Sequence, residues 1–269
     1  MAYFYRMELI MARICPLFSG STGNSTYIGT KNGGILIDVG ASMKGIKEAV
    51  ENAGGDIDEI FAVAITHEHT DHIKGLKTFL NKTNAKVIAS KETLSVLEDI
   101  IPAKSDVICI ENKTEVNGIE ISRFATSHDC LGSSGYTLIL PDNKKVAVCT
   151  DLGIVTEEVK GAIVGSDLVL LESNHDVEML KRGLYPPHLK ARILSEKGHI
   201  SNNVCAAQLP FLFQNGTKRF ILGHLSQQNN TPMLAKSCAV SALMDLSLKN
   251  GKDYILTVAK PNNNGVTVI

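Results

Sequence analysis

Short apolar and β-branched runs separated by Gly, Asn and Ser turns open the chain: Leu9 to Leu17, Ser25 to Gly29 and Gly34 to Val39. Their length and spacing predict strands. Ser42 stands at the N-cap position of a helix predicted to run to about Asn52. Phe61 to Thr66 reads as an apolar strand, and helix, strand and helix follow through Leu97. Four strand-like segments come next, Asp106 to Ile110, Gly118 to Phe124, Ser134 to Leu140 and Lys145 to Thr150. The last third alternates. A strand over Leu168 to Glu172 leads to helices near Val177 to Arg182 and Pro187 to Leu194. Helix Ser201 to Gln214, strand Arg219 to Leu222, helix Thr231 to Leu248 and a strand near Tyr254 to Val258 follow. Two strand-rich halves, each with helices after it, predict an α/β fold of the αββα kind, two mixed sheets packed face to face with helices outside. Periodicity by itself also fits other α/β arrangements.

Composition narrows this picture little. With 269 residues, 44% hydrophobic and 20% charged, the chain can bury an ordinary core without disulfides. No repeat, low-complexity tract or Pro/Ser-rich linker divides it, so one domain over 1–269 is expected. Met7 and Met11 offer later starts, which makes 1–10 an expected extension without a role. No apolar run reaches bilayer length, and Arg6, Glu8 and Arg13 interrupt the N-terminal stretch where a signal peptide would be unbroken; no membrane association is expected. Six cysteines without a C-x-x-C pair point to reduced thiols and a cytoplasmic protein. The net charge of −1 advertises no polyanionic partner, but Lys181, Arg182, Lys190, Arg192 and Lys197 stand against a single Glu196. That stretch is either a solvated helix face or, if it lies beside a catalytic site, a phosphate-binding rim.

The decisive stretch is Thr66-His67-Glu68-His69-Thr70-Asp71-His72, where an apolar strand ends and a helix begins near Asp71. Strand ends facing a crevice are where α/β proteins place ligands. Four residues of metal-ligand type in six positions cannot share one face of a regular element, whereas a loop can turn them all inward. Imidazole and carboxylate suit zinc, iron or manganese. His128, Asp151 and His224 each follow an apolar strand and can enter the same crevice. Alone, either His reads as an ordinary hydrogen-bonded residue and Asp151 as a helix N-cap; beside the cluster they read as further ligands.

H-x-H-x-D-H followed by spaced His, Asp and His resembles the metallo-β-lactamase superfamily, from Asp38 to His224. The resemblance implies two divalent metal ions (Zn, Mn or Fe). His67, His69 and His128 would hold one, Asp71, His72 and His224 the other, with Asp151 bridging. Asp38 would orient the ligand histidines from behind, unless it is only a turn residue before Gly40. Glu172, ending the strand Leu168 to Leu171, and His199, in Gly198-His199-Ile200-Ser201, resemble the Glu–His pair of ribonuclease Z-type phosphodiesterases, in which the histidine protonates the leaving oxygen. Otherwise His199 merely precedes the Ser201 cap. The intervals from Asp151 to Glu172 and to His224 leave no room for the tRNA-gripping arm of ribonuclease Z or the second domain of ribonuclease J.

Phe18-Ser19-Gly20-Ser21-Thr22-Gly23-Asn24-Ser25, Thr126-Ser127-His128-Asp129, Glu172-Ser173-Asn174-His175-Asp176, Gly198 to Asn202 and Gly223 to Asn230 together resemble the YycJ/WalJ family of small exonucleases. That likeness implies a 5′-to-3′ exodeoxyribonuclease linked to DNA repair. A metal-bridging hydroxide would attack the phosphodiester, with Asp71 among the catalytic groups and His199 the general acid held by Glu172. Ser19, Ser21, Asn24, His175, Arg192 and Lys197 are the expected substrate contacts. The Ser19 to Asn24 loop reads equally well as a tight hairpin. His175 and Tyr185 should border the site. With no Trp and 5% aromatics, the sequence offers little sign of base-stacking platforms. Two other readings stay open: a small-molecule metallo-hydrolase for a thioester, lactone or cyclic nucleotide, and a nucleic-acid-binding protein with a structural metal.

Overall fold

A computed structural model describes residues 11–262 and 264–269; the expected extension 1–10 lies outside the described residues. Two seven-stranded sheets face each other. In the first, the order is β14(Thr267–Val268)-β1(Arg13–Phe18)-β2(Ser25–Thr30)-β3(Gly33–Ile37)-β4(Ile60–Ala64)-β5(Lys86–Ala89)-β6(Val107–Cys109). In the second it is β13(Ile255–Val258)-β12(Arg219–Gly223)-β11(Leu168–Glu172)-β10(Lys145–Cys149)-β9(Ser134–Ile139)-β8(Ile119–Ala125)-β7(Lys113–Val116). Each sheet is antiparallel on one side and parallel on the other. Tight turns serve the antiparallel halves, and helical crossovers serve the parallel ones. The parallel strands β3, β4, β10, β11 and β12 therefore end on a common edge, where the crevice lies.

Alternation along the strands sorts the apolar side chains. Leu168 and Leu170 of β11 join Ile28, Ile35, Tyr136 and Val146 between the sheets. Val169 and Leu171 face outward and meet α5(Glu157–Ile163), α8(Asn202–Gln214) and α9(Pro232–Met244) through Val159, Leu209 and Ala239. On the far side, Leu36, Val63 and Val87 lie under α1(Met43–Asn52) and α3(Leu76–Lys82), with α4(Lys91–Val96) following β5. Three apolar layers thus alternate with two sheets, the arrangement that fully buried parallel strands require.

The αββα expectation holds, as does the Ser42 cap, whose hydroxyl accepts from Gly45 N–H. Four local expectations are corrected. β7 carries Lys-Thr-Glu-Val at a sheet edge, where a polar strand is tolerated and leaves no apolar alternation to read. The helix α5 is an element beyond those expected; Thr156 caps it and Glu157 and Glu158 favour its first turn. The two-residue β14 is too short to signal itself. The helix expected to reach Leu248 stops at Met244, and Ser247 takes a left-handed φ of 61°.

Candidate metal centre

At the crevice the backbone is bent sharply. Asp38, Asp151 and His224 follow β3, β10 and β12 with φ of 63°, 60° and 53°. Left-handed conformations cost non-glycine residues of the order of 1–3 kcal/mol each and persist where surrounding contacts enforce them. Here the enforcement is visible. Asn24 N–H donates to Asp71 O (2.7 Å), Gly40 N–H to Asn24 O (2.8 Å) and Val39 N–H to His72 O (2.8 Å). A Cβ on Gly40 would sit 1.7 Å from Asp71 O, so only glycine lets the β3 loop and the histidine loop approach this closely.

The histidine loop runs from β4 into the short helix α2(Thr70–Ile73). Asp38 is the hub behind it. Its carboxylate accepts from Thr66 N–H (2.8 Å), the Thr66 hydroxyl (2.8 Å) and His72 Nδ1 (2.7 Å). The Thr66 hydroxyl, having given its proton to Asp38, is left to accept from His67 Nδ1 at 2.9 Å. His128 Nδ1 donates to Gly198 O (3.2 Å), and His224 Nδ1 to Glu172 Oε1 (2.7 Å). These contacts commit Nδ1 of each ring and turn its Nε2 inward, where that of His72 also meets the Asn24 amide at 3.0 Å.

The candidate ligand atoms converge. Ligand atoms of His67, His69 and His128 lie within 4.8 Å of one another, as do those of Asp71, His72 and His224 and those of His67, His72 and Asp151. Asp151 stands between the sets, 3.4 Å from His72 Nε2, 3.3 Å from His224 Nδ1 and 3.8 Å from His128 Nε2. His67 Nε2, His224 Nε2 and Asp151 Oδ2 are buried and without hydrogen-bond partners among the described residues. Buried polar atoms rarely stand unpaired. A divalent cation fits these lone pairs, and the donor set of imidazole and carboxylate is one that such ions take.

Electrostatics agree with that fit. Burial, joined by His72, drives His67 well below its ordinary range, and burial lowers His128; both are neutral and ready to ligate. Burial disfavours charge on His72 and His224, yet Asp151 with Asp38 and Glu172 outweighs it and pushes them up to about 9 and about 10. Burial also opposes charge on Glu172 and Asp151. The histidines prevail, bringing Glu172 down to about 2 and Asp151 well below the carboxylate range.

Glu172 ends β11 fully buried and has every lone pair engaged. Oε1 accepts from His199 Nδ1 (2.8 Å) and His224 Nδ1 (2.7 Å); Oε2 accepts from Ile200 N–H (3.1 Å) and Leu152 N–H (3.3 Å). The glutamate thus holds two histidines, where the sequence suggested one. Ser201 does cap α8, accepting from Val204 N–H, so His199 both precedes a cap and meets Glu172. Asp151 caps no helix; α5 begins after Thr156.

The crevice above these groups is lined by Ser21, Asn174, Tyr185, Leu189, Arg192 and Ser226, together with His199 and the ligand candidates. Of the expected substrate contacts, Ser21 and Arg192 are there. Ser19 is buried, and its hydroxyl accepts from His224 N–H (2.8 Å). Asn24 is buried too, and its amide donates to Asp71 Oδ2 (3.1 Å) and reaches His72 Nε2 (3.0 Å). The Ser19 to Asn24 loop is a hairpin turn whose side chains brace the site. His175 does not border the crevice; a β-bridge to Ser201 draws it inside, and burial holds its ring down to about 4. Lys197 is exposed and absent from the crevice wall, and Lys181 and Arg182 pair with Glu178 on the solvated face of α6(Val177–Arg182).

Arg192, on α7(Pro187–Ile193), engages both oxygens of Asp129, whose Oδ1 is 3.5 Å from His128 Nε2 and 3.8 Å from His69 Nε2. Sequence reading assigned no role to Asp129, nor to the buried amides around His224. Asn174 donates to His224 O (3.0 Å), and Asn230 to Ser173 O (2.9 Å) and Asn202 Oδ1 (2.9 Å). The advance signal was their place in Glu172 to Asp176, Gly198 to Asn202 and Gly223 to Asn230, the segments that carry the family likeness.

Two mixed sheets carrying histidines and carboxylates at one shared edge define a metallo-hydrolase of the metallo-β-lactamase type. The family model described as "Beta-lactamase superfamily domain" matches residues 34–225, and the chain belongs to that superfamily. Within it, the chain belongs to the YycJ/WalJ family. It is 36% identical over 242 residues to exodeoxyribonuclease YycJ of Bacillus anthracis, covering 88% of this chain and 91% of that protein. It is 34% identical over 252 residues to exodeoxyribonuclease WalJ of Streptococcus pneumoniae, covering 91% and 93%. Among solved structures, the metallo-beta-lactamase fold protein YhfI from Bacillus subtilis matches with a TM-score of 0.69 at 12% identity, covering 96% of this chain and all of that one. Zn(2+)-bound PqqB from Methylobacterium extorquens matches at 0.66 and 17%, covering 94% and 99%. At these identities the likeness shows the fold. No helix among the described residues is long and apolar enough to cross a membrane.

Proposed function

We propose that this hydrolase is a DNA phosphodiesterase, a 5′-to-3′ exodeoxyribonuclease of DNA repair, working as a single domain. The observation that carries this reading is the 36% and 34% identity, over 88% and 91% of the chain, to proteins named exodeoxyribonuclease. The site supports it in three ways: a guanidinium beside the ligand candidates, a buried glutamate presenting His199, and a crevice wall rich in polar groups. A phosphate backbone needs cations at the cut. Small-molecule hydrolysis would favour a narrower apolar pocket.

In this reading His67, His69 and His128 would hold one ion and Asp71, His72 and His224 a second, with Asp151 within reach of both sets. Two divalent ions, of zinc, manganese or iron, would supply the acidified nucleophile and the charge neutralisation. Asp38 keeps the proton on His72 Nδ1, and Glu172 keeps those on His199 and His224 Nδ1. His199, with Nδ1 committed to Glu172, uses its other nitrogen to protonate the departing sugar oxygen. Ser21 and Arg192 touch the phosphate. Ser19 and Asn24 act as braces for His224 and for Asp71 with His72.

The test is incubation with end-labelled single- and double-stranded DNA and RNA in manganese and in zinc. Stepwise release from the 5′ end of DNA, lost in Asp71→Ala and His72→Ala, supports the reading. No cleavage by metal-loaded protein would end it and turn the search to thioesters, lactones and cyclic nucleotides.

A linkage prediction tests the ligand set without turnover. His72 and His224 have folded values above the imidazole reference, so their charges stabilise the metal-free fold fully below about pH 6.5. That contribution is lost as pH rises through about 9 and about 10. Metal takes neutral imidazole only, so binding near neutral pH must expel these protons. We expect release of about two protons on loading both sites at pH 7, read by calorimetry in buffers of different ionisation enthalpy. The rise in Tm on adding metal should grow with pH between about 6 and 8.5. A pH-independent rise with no proton release would exclude His72 and His224 as ligands.

A further inference from the structure

The loop joining α6 to α7 carries one residue that packing does not explain. Leu184 is 100% exposed, the most exposed large apolar side chain among the described residues. Solitary exposed leucines are ordinary on protein surfaces. What sets this one apart is its mounting and its neighbours.

The turn is stiff on both sides. Gly183 N–H donates to Met179 O (2.7 Å), and a Cβ on Gly183 would lie 2.5 Å from Asn229 Oδ1, so the chain passes flush against the loop that follows His224. Pro186 and Pro187 follow at once, with Lys190 N–H donating to Pro186 O (3.1 Å). Lys190 Nζ closes the helical hairpin by donating to Lys181 O (2.8 Å). Proline fixes φ, so the loop loses little freedom when something binds to it. The leucine is thus held out into solvent by a rigid turn and not on a floppy tip.

One side of this hairpin faces the active site. Tyr185, the next residue, lines the crevice with Leu189 and Arg192 of the same hairpin, while Lys181 and Arg182 end the helix before it. A strand leaving the metal centre past Tyr185 meets Leu184 next, at the exposed tip of the hairpin. An apolar side chain inserted between base steps is a device by which proteins part stacked bases, repaying the unstacking with new contact.

Resting on the DNA reading above, we propose that Leu184 is a wedge that inserts under the terminal base pair of duplex DNA, parting the strands so that one enters the crevice. Single strands enter the crevice without this step.

Leu184→Ala and Leu184→Ser leave the fold intact, because the side chain touches nothing, and they lie outside the catalytic groups. On blunt duplex DNA the rate of degradation should fall about tenfold, the equivalent of losing one leucine's burial. On the same strand unpaired, the rate should stay within about twofold. A duplex with 2-aminopurine in its terminal pair should brighten when the wild-type protein binds and stay dim with either variant, a readout independent of turnover. Equal rates of wild type and variants on the duplex, or equal losses on both substrates, would overturn the wedge. Wild-type activity on single strands alone overturns it while leaving the nuclease reading standing. Inactivity on both forms removes the two together.

Discussion

If Asp151 is the shared ligand proposed above, replacing it with alanine should lower hydrolysis by about three to four orders of magnitude, since such a ligand would support several kcal/mol of transition-state charge stabilisation. The same substitution should strip metal from the purified protein. Asp151 is 2% exposed and lies between the two donor sets, 3.4 Å from His72 Nε2, 3.3 Å from His224 Nδ1, 3.7 Å from His199 Nδ1 and 3.8 Å from His128 Nε2. Its charge, with those of Asp38 and Glu172, is what keeps His72 and His224 protonated in the metal-free protein. Asp151→Asn keeps the shape and the strained backbone at φ 60° but not the charge, so it removes the carboxylate without opening a cavity. If the carboxylate is a ligand, both variants lose metal and activity, measured by elemental analysis and nucleotide release. A variant that retains both ions and wild-type turnover would remove Asp151 from the centre.

Much of this centre could be read from the sequence because its logic is local. An apolar strand ends, and four residues of ligand type follow within six positions; nothing in packing asks for that. Asp38, Asp151, Glu172 and His224 were legible for a related reason, since each stands at the end of a strand whose apolar run is plain. The αββα fold followed from the same runs. What could not be read is set by contacts between distant segments. Asn24 looks like a hairpin residue until its amide is seen 3.1 Å from Asp71, and Ser19 until its hydroxyl is seen under His224 N–H. Asp129 and Arg192 lie far apart in sequence, and only the approach of α7 to the loop after β8 makes them a pair. His175 went the other way. It follows Glu172 by three residues and reads as a border residue, yet the bridge to Ser201 turns it inward. Periodicity also fails at edges, which is why the polar β7 and the short β14 were invisible.

His199 carries the last expectation, and it depends on the leaving group. A general acid contributes about two to four orders of magnitude when the departing oxygen is a poor leaving group such as a sugar alkoxide. A nitrophenolate needs no proton. His199→Ala should therefore lose about that much on DNA and far less on a nitrophenyl phosphodiester, with metal content unchanged, because His199 Nδ1 is spent on Glu172 and its ring borders the crevice. Glu172→Gln makes a useful contrast. Its Oε1 accepts from both His199 and His224, so the change strikes the acid and a ligand candidate together and removes a fully buried charge from between them. Truncating such a network costs more than one hydrogen bond, since the remaining groups are left unpaired in a low-dielectric interior. It should lower activity on both substrates, reduce metal content and lower Tm, none of which a pure loss of the acid would do. Equal losses on DNA and on the nitrophenyl ester in His199→Ala would instead make the ring a structural member of the centre, and the proton on the departing oxygen would have to come from elsewhere.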